Sequence, residues 1–359
     1  MSSLLPPSLC PCNNVRRTCR MVVQNNPYVK IQQDKLELLA QSIISQGGQA
    51  TEWDADGWHY TGSTYRGSDN NTVRQERVAL YVLALDAINF CFWPHHPDDN
   101  DNEQKKKESN SLEYDHLAIA LRKLAELDDD SESTDDYFFD PRNLSKLTVD
   151  EMKAALEPQL QGHYLPNIQE RCRLWNELGE ALLLHNHKGS ALVMISTCGH
   201  SAPHLVQCIV QNFPGFRDET LYRGNWVALY KRAQIVVGDL NAALKLNLEN
   251  MDLLTTFADY RVPQVLRHWG ALQYNPELAA KVDSQIELDP DEEVSIRAGT
   301  VVCVDELVKS VNSCLMSSSS LSKEQMTAVT LDWHLWQVGE QMNQQGELKP
   351  HHRVKTIFY

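Results

Sequence analysis

The chain has 359 residues, 42% hydrophobic and 23% charged, a balance that builds a packed core and excludes a disordered chain. Its net charge of -15 repels long nucleic-acid backbones, whose binding rests on neutralising many phosphates, but leaves room for a single nucleotide in a locally basic pocket. No window approaches about 18 consecutive apolar residues, so no membrane span is expected, and the opening MSSLLPPSLCPC lacks the charged head and long apolar run of a secretory signal.

Nine cysteines are scattered through the chain, an odd number, most of them in apolar helical patterns. Reduced thiols in a cytoplasmic, or alternatively nuclear, compartment are the expectation.

Residues 1–25 read as a flexible N-terminal segment and residues 26–359 as a single helical domain. From Val29 to Ser45, apolar residues recur at helical spacing (Ile31, Leu36, Leu39, Ile43, Ile44) until Gly47-Gly48. A small hairpin is expected next, with Thr51-Glu52-Trp53 and Trp58-His59-Tyr60 flanking the turn pair Asp56-Gly57. Val73 to Phe92 is apolar nearly all round and predicts a central buried helix. Three polar runs are expected at the surface: an insertion at about residues 97–111, the acidic run Asp128 to Asp136, and Ser317 to Ser320. Thr148 and Glu151 predict a capping box. Further helices are expected over Ile168 to His185, after Pro203, along Tyr230, Ala233, Val237, Leu240 and Leu244, along Val294, Ala298, Val301, Val308 and Val311, and from Lys323 to Glu340. The fold class is all-α, or nearly so, with one small β element.

Polar residues inside apolar patterns mark candidate chemistry. Asp86 and Asn89, three apart, share a face of the central helix. They either bond neighbouring backbone or a buried arginine, or they face a pocket beside Trp93, whose ring could stack on a base. Lys231 and Asp239 fall within roughly 80° of each other on an ideal helix. That lysine could meet a phosphate or a carboxylate, and a solvated lysine with a capping aspartate is the plainer alternative. In FADYRVPQVLRHWG, Asp259, Tyr260 and Arg261 precede Pro263, which places them on a loop leading into a helix. Apolar flanks there suit an acid with a tuned pKa, and a structural Asp–Arg pair suits them equally. Cys10-Pro-Cys12, His95-His96 and Cys198-Gly-His200 with His204 do not make four ligands at a zinc spacing, so neither a metal nor any other cofactor is expected.

The stretches VRQERVALYVLALDAINFCFWP, EYDHLA, FRDETLYRGNWVALYKRAQIVVGDL, FADYRVPQVLRHWG, EVSIRAGTVVCVDEL and HHRVKTIFY together resemble the queuosine salvage proteins, over about Val73 to Tyr359. The resemblance implies hydrolysis of queuosine 5'-monophosphate to queuine and ribose 5-phosphate, a small-molecule nucleotide substrate, and a fold like the helix-hairpin-helix DNA glycosylases. By analogy of placement, it implies Asp259 as the catalytic carboxylate with Lys231 in the preceding helix. Asp86, Asn89, Phe90 and Trp93 become candidates for holding the base. Asp239 and Tyr260 join them as substrate-binding candidates. Lys231 and Arg261 are the first candidates for the phosphate, ahead of His59 and His200. A non-enzymatic protein that binds queuine or a queuosine-bearing tRNA is the alternative.

Overall fold

The computed structural model describes residues 10–45, 53–54, 56–66, 71–93, 112–130, 136–184, 186–317 and 325–359. Within them helices dominate, and β structure is confined to two antiparallel pairs of short strands. The elements run α1 (Pro11–Asn25), β1 (Val29–Ile31), α2 (Gln33–Ser45), α3 (Asn71–Ala87), α4 (Tyr114–Glu126), α5 (Pro141–Leu144), α6 (Val149–Leu156), α7 (Ile168–Leu184), α8 (Ala191–Thr197) and α9 (Ala202–Asn212). There follow β2 (Glu219–Tyr222), β3 (Asn225–Ala228), α10 (Lys231–Leu244), α11 (Arg261–His268), β4 (Leu272–Tyr274), α12 (Pro276–Asp283), α13 (Pro290–Ser317) and α14 (Ala328–Gln344). The chain groups into two compact units. The first comprises Met1–Glu52, Asp218–Gln234 and Glu249–Val354, and the second Trp53–Arg217, Ile235–Leu248 and Lys355–Tyr359.

In the first unit α13 is the spine, with α1 and α2 packed along it. The segment expected to be flexible instead contains α1. Pro11 sits in its first turn, and Cys12, Val15, Cys19 and Val22 form a buried stripe at helical spacing. Arg16 pins this helix by pairing with Asp305 at 3.1 Å and donating to the carbonyls of Leu253 and Leu254. The helix expected from Val29 starts later, because Val29–Ile31 pairs with Leu272–Tyr274 as a strand. The last helix likewise begins at Ala328 rather than Lys323, where the Thr327 hydroxyl accepts the Thr330 N–H at 3.2 Å. At Gly339 a Cβ would stand 2.7 Å from Val265 and 2.9 Å from Arg261, so only glycine lets α11 lie this close to α14.

In the second unit α3 is buried from Arg77 to Ala87, as its composition predicts. It ends at Ala87 rather than Phe92, and Asn89, Phe90 and Trp93 therefore lie beyond the helix. Cys91 takes a left-handed conformation (φ 43°), and buried Arg171 donates to the carbonyls of Ile88, Phe90 and Cys91. Those carbonyls thus find their partner outside a helical ladder. The capping box forms as expected, with the Glu151 N–H on the Thr148 hydroxyl and the Thr148 N–H on the Glu151 carboxylate. The expected hairpin at 51–60 lies partly outside the described residues, and its described part has no strand. Of the polar runs, 97–111 lies outside the described residues, as do 131–135 and 318–320. The acidic run is not all surface: buried Asp129 accepts the Tyr60 hydroxyl at 2.6 Å, with Arg77 at 3.9 Å.

Candidate functional site

In the first unit a two-residue turn starts the construction. Arg223 (φ 49°) and Gly224 (φ 79°) both take positive φ, the geometry that matches the twist of a tight hairpin, and register Tyr222 with Asn225. The hairpin β2–β3 therefore returns the chain to its own start. There the Asp218 carbonyl accepts the N–H groups of Leu229 and Tyr230 at 3.0 and 3.3 Å. Tyr230 turns through φ 49° into α10, whose first residue, Lys231, gives its N–H to Asp218 Oδ2 at 3.1 Å. A carboxylate thus stands at the positive end of the helix and fixes Lys231. Asp218 is itself held by Arg297 of α13, which donates Nη1 to Oδ1 at 3.0 Å and Nη2 to Oδ2 at 2.6 Å, a two-pronged grip between buried partners.

Residues 255–259 are fastened one by one. The Thr255 N–H donates to Gln234 Oε1 at 2.8 Å, and Gln234 Nε2 donates to Thr255 Oγ1 at 2.9 Å, which ties the loop to α10. The Thr256 hydroxyl and the Phe257 N–H both donate to Asp332 Oδ1 of α14, the latter at 2.8 Å. The Ala258 carbonyl accepts Nε of Arg297 at 2.8 Å. Asp259 Oδ1, one residue before the N-cap Tyr260, accepts the Val262 N–H at 3.0 Å and so satisfies a donor of the first turn of α11. Arg297 therefore holds both the cap of the Lys231 helix and the residue before Asp259.

The electrostatics follow from burial. Asp259 is only 6% exposed, and desolvation raises its pKa, opposed first by the Lys231 ammonium and then by the Val262 N–H and Arg261. Asp332 is pushed up further, by burial and then by the Asp259 charge, against the Thr256 hydroxyl, the Phe257 N–H and Lys231. Arg261 donates Nε to Glu340 at 2.7 Å and Nη1 to Gln264 at 2.7 Å, so its charge is met by α14. The Tyr260 ring lies 4.5 Å from that of His351. Such an arrangement can hold one carboxylate charge beside an ammonium in a water-poor setting, which suits stabilisation of a developing cation.

The remaining candidates fall in the second unit. Asp86 and Asn89 are buried, with Asn89 Nδ2 donating to Asp86 Oδ1 at 3.5 Å. Asp86, Asp239 and Asp54 all act on the buried phenol of Tyr81, and His59 Nδ1 lies 3.4 Å from its hydroxyl. His59 stacks on Trp53 at 4.2 Å, and burial pushes its pKa down to about 3, so it is neutral and unsuited to bind a phosphate by charge. Phe90 carries the Arg171 guanidinium 4.5 Å from its ring centre. Trp93 is buried, and His200 is exposed in the turn between α8 and α9. His95-His96 lies outside the described residues, and no group of three metal-ligating side chains occurs among those described.

Sequence reasoning missed Asp218, Gln234, Arg297 and Asp332. One signal was available for three of them: Gln234, Arg297 and Asp332 are polar residues within apolar helical stripes, the criterion that singled out Asp86, whereas Asp218 lies in the loop before β2.

Burial pushes His351 down to about 3 and His352 well below the ordinary imidazole value of 6.5. Both are neutral in the fold, while the unfolded chain takes up protons below about pH 6.5. Their contribution to stability is therefore present above that pH and is lost as pH falls. Asp259 and Asp332, raised by burial, titrate in the opposite sense, so the test is a difference. Relative to His351→Asn, the wild type should lose about 1.4 kcal/mol of unfolding free energy per pH unit below about 6.5. Urea melts of both proteins between pH 7.5 and 5.5 check this, and a constant difference would show that His351 is not buried neutral.

The chain is similar to known proteins along nearly its whole length. A family model described as queuosine salvage protein matches residues 69–359. A Dictyostelium discoideum protein named queuosine 5'-phosphate N-glycosylase/hydrolase is 33% identical, over 97% of this chain and 99% of its own. Proteins of the same name from Sphaerobacter thermophilus and Mus musculus are 32% and 29% identical, each over 96% of this chain, covering 97% and 98% of theirs.

Proposed function

We propose that this chain, which belongs to the queuosine salvage protein family, hydrolyses the N-glycosidic bond of queuosine 5'-phosphate, freeing queuine and ribose 5-phosphate so that the base can return to tRNA. The observation that carries this is similarity along nearly the whole chain to proteins so named.

The residues suit the chemistry. Breaking a ribosyl C–N bond builds positive charge on the sugar. Asp259, fixed by the Val262 N–H and facing the Lys231 charge, is the carboxylate to stabilise that cation and to orient or deprotonate water. Queuine is a 7-deazapurine and has carbon in place of N7, so a proton at N7 cannot activate the leaving group. The base must depart through contacts to its ring edge, for which Asp86, Asn89 and Asp239 are the polar candidates. Lys231 remains the candidate for the phosphate, since Arg261 is committed to Glu340 and Gln264. Tyr260, whose ring lies 4.5 Å from that of His351, remains a candidate for substrate contact.

Free cysteines at all nine positions fit a reducing, cytoplasmic setting. No described helix is long and apolar enough to cross a membrane.

Incubation of the protein with queuosine 5'-monophosphate, followed by mass spectrometry for free queuine, tests the proposal; absence of the base defeats it. Trp93→Ala should then weaken substrate binding by about 1–3 kcal/mol if its ring stacks on the base. Unchanged KM with a lower Tm would make Trp93 a packing residue instead.

A further inference from the structure

Asp332, on α14, is a buried acid aimed at the loop that ends in Asp259. Its Oδ1 accepts two hydrogen bonds from consecutive residues of that loop, the Thr256 hydroxyl and the Phe257 N–H. Buried acids are expensive, and this one lies close enough to Asp259 for the two to repel. The charged and titratable groups around the pair are Lys231 from α10, Arg261 from α11 and Arg297 from α13, with His351 and His352 on the segment after α14. Of these cations, Arg297 is met by Asp218, Arg261 is met by Glu340 and acts on Asp259 alone, and Lys231 acts on both acids. Two carboxylate charges would crowd onto one ammonium, so one of the acids keeps its proton. Burial and the charge on Asp259 hold Asp332 far above the usual carboxylate range, which makes it the one that stays neutral.

We propose that Asp332 is a positioning residue for glycosidic cleavage: as an uncharged acid it fixes Thr256 and Phe257, and so sets Asp259 in place and leaves it the negative charge beside Lys231. The proposal rests on the reading of Asp259 as the reacting carboxylate. Asp332 adds no second anion and touches no substrate. Its effect is on where the Asp259 oxygens stand, which is the kind of displacement that costs rate more than binding.

The test compares steady-state turnover of queuosine 5'-monophosphate by the wild type, Asp332→Ala and Asp332→Asn, all well below their Tm. Asp332→Ala leaves the Thr256 and Phe257 donors without an acceptor. It should lower kcat by about 10- to 100-fold with little change in KM. Asp332→Asn keeps a carbonyl oxygen for both donors and an uncharged group where the acid proton was, and should recover most of that loss. Wild-type kcat in Asp332→Ala overturns the inference. So does an Asp332→Asn variant as impaired as the alanine, because the charge would then be needed. Should Asp332→Ala not fold, Thr256→Val removes one donor to the same carboxyl: reduced kcat at constant KM supports the inference and wild-type kcat overturns it. No queuine from the wild type defeats the proposed function and this inference together, whereas active wild type with either adverse variant result defeats this inference alone.

Discussion

Asp259→Asn is expected to lower kcat by about 10²- to 10⁴-fold while KM stays near its wild-type value. The substitution keeps the shape and the oxygen that accepts the Val262 N–H, so the start of α11 need not move. It removes only the negative charge, and that charge matters most when the sugar becomes cationic, so the loss should fall on the chemical step. Stability should go the other way. Burial raises the Asp259 pKa, so at neutral pH the charged form costs folding free energy relative to the unfolded chain. The neutral amide removes that cost, and Tm at pH 7 should be equal or higher. A structural aspartate would give the opposite pair of results, a lower Tm with little selective effect on kcat. Asp239→Asn and Asp86→Asn are the controls: a kcat collapse in either, with near-normal turnover in Asp259→Asn, would move the assignment.

The pattern of apolar residues made most helices legible, because burial of one face leaves a 3.6-residue period whatever the partner is. It failed where the partner was decisive. Val29–Ile31 pairs with Leu272–Tyr274, some 240 residues away, and nothing local announces that contact. α3 stops at Ala87 although apolar residues continue to Phe92, because Arg171 supplies donors to the carbonyls that follow. α1 carries a weak signal because its stripe is made of two cysteines and two valines within a polar segment. The candidate site divides in the same way. Asp259 and Lys231 were legible as odd residues in distinctive stretches, and the structure shows their charges acting on each other. Of their supports, Asp218 and Gln234 are near Lys231 in the chain while Arg297 and Asp332 come from distant helices, and each is identified as a support by what it holds. Arg261 pairs with Glu340 where α14 lies close against α11 at Gly339, and its charge also acts on Asp259.

Among those supports Arg297 should be the costliest to lose. Arg297→Met is expected to destabilise the fold by about 3–5 kcal/mol, read as a lower urea midpoint at pH 7. Arg297 and Asp218 are both buried and meet at 2.6 and 3.0 Å. Removing the cation strands the Asp218 charge away from water, with the Lys231 N–H still donating to it, and also strips the Ala258 carbonyl of its donor. Arg297→Lys should be only a partial remedy, because an ammonium is a point charge that cannot grip both oxygens and reach Ala258 together. The double variant Asp218→Asn/Arg297→Met removes both charges and should recover part of the lost stability, since an intact buried pair itself contributes little net free energy. It should not recover turnover. The amide can still cap α10, but nothing then fastens residue 258 to α13, so Asp259 loses the restraint on its neighbour while Lys231 keeps its own. Recovery of stability without recovery of kcat therefore separates the role of the pair in folding from its role in aligning the acid with the ammonium. A urea midpoint for Arg297→Met equal to that of the wild type would show that the pair does not hold the fold, and a wild-type kcat that it does not align the acid.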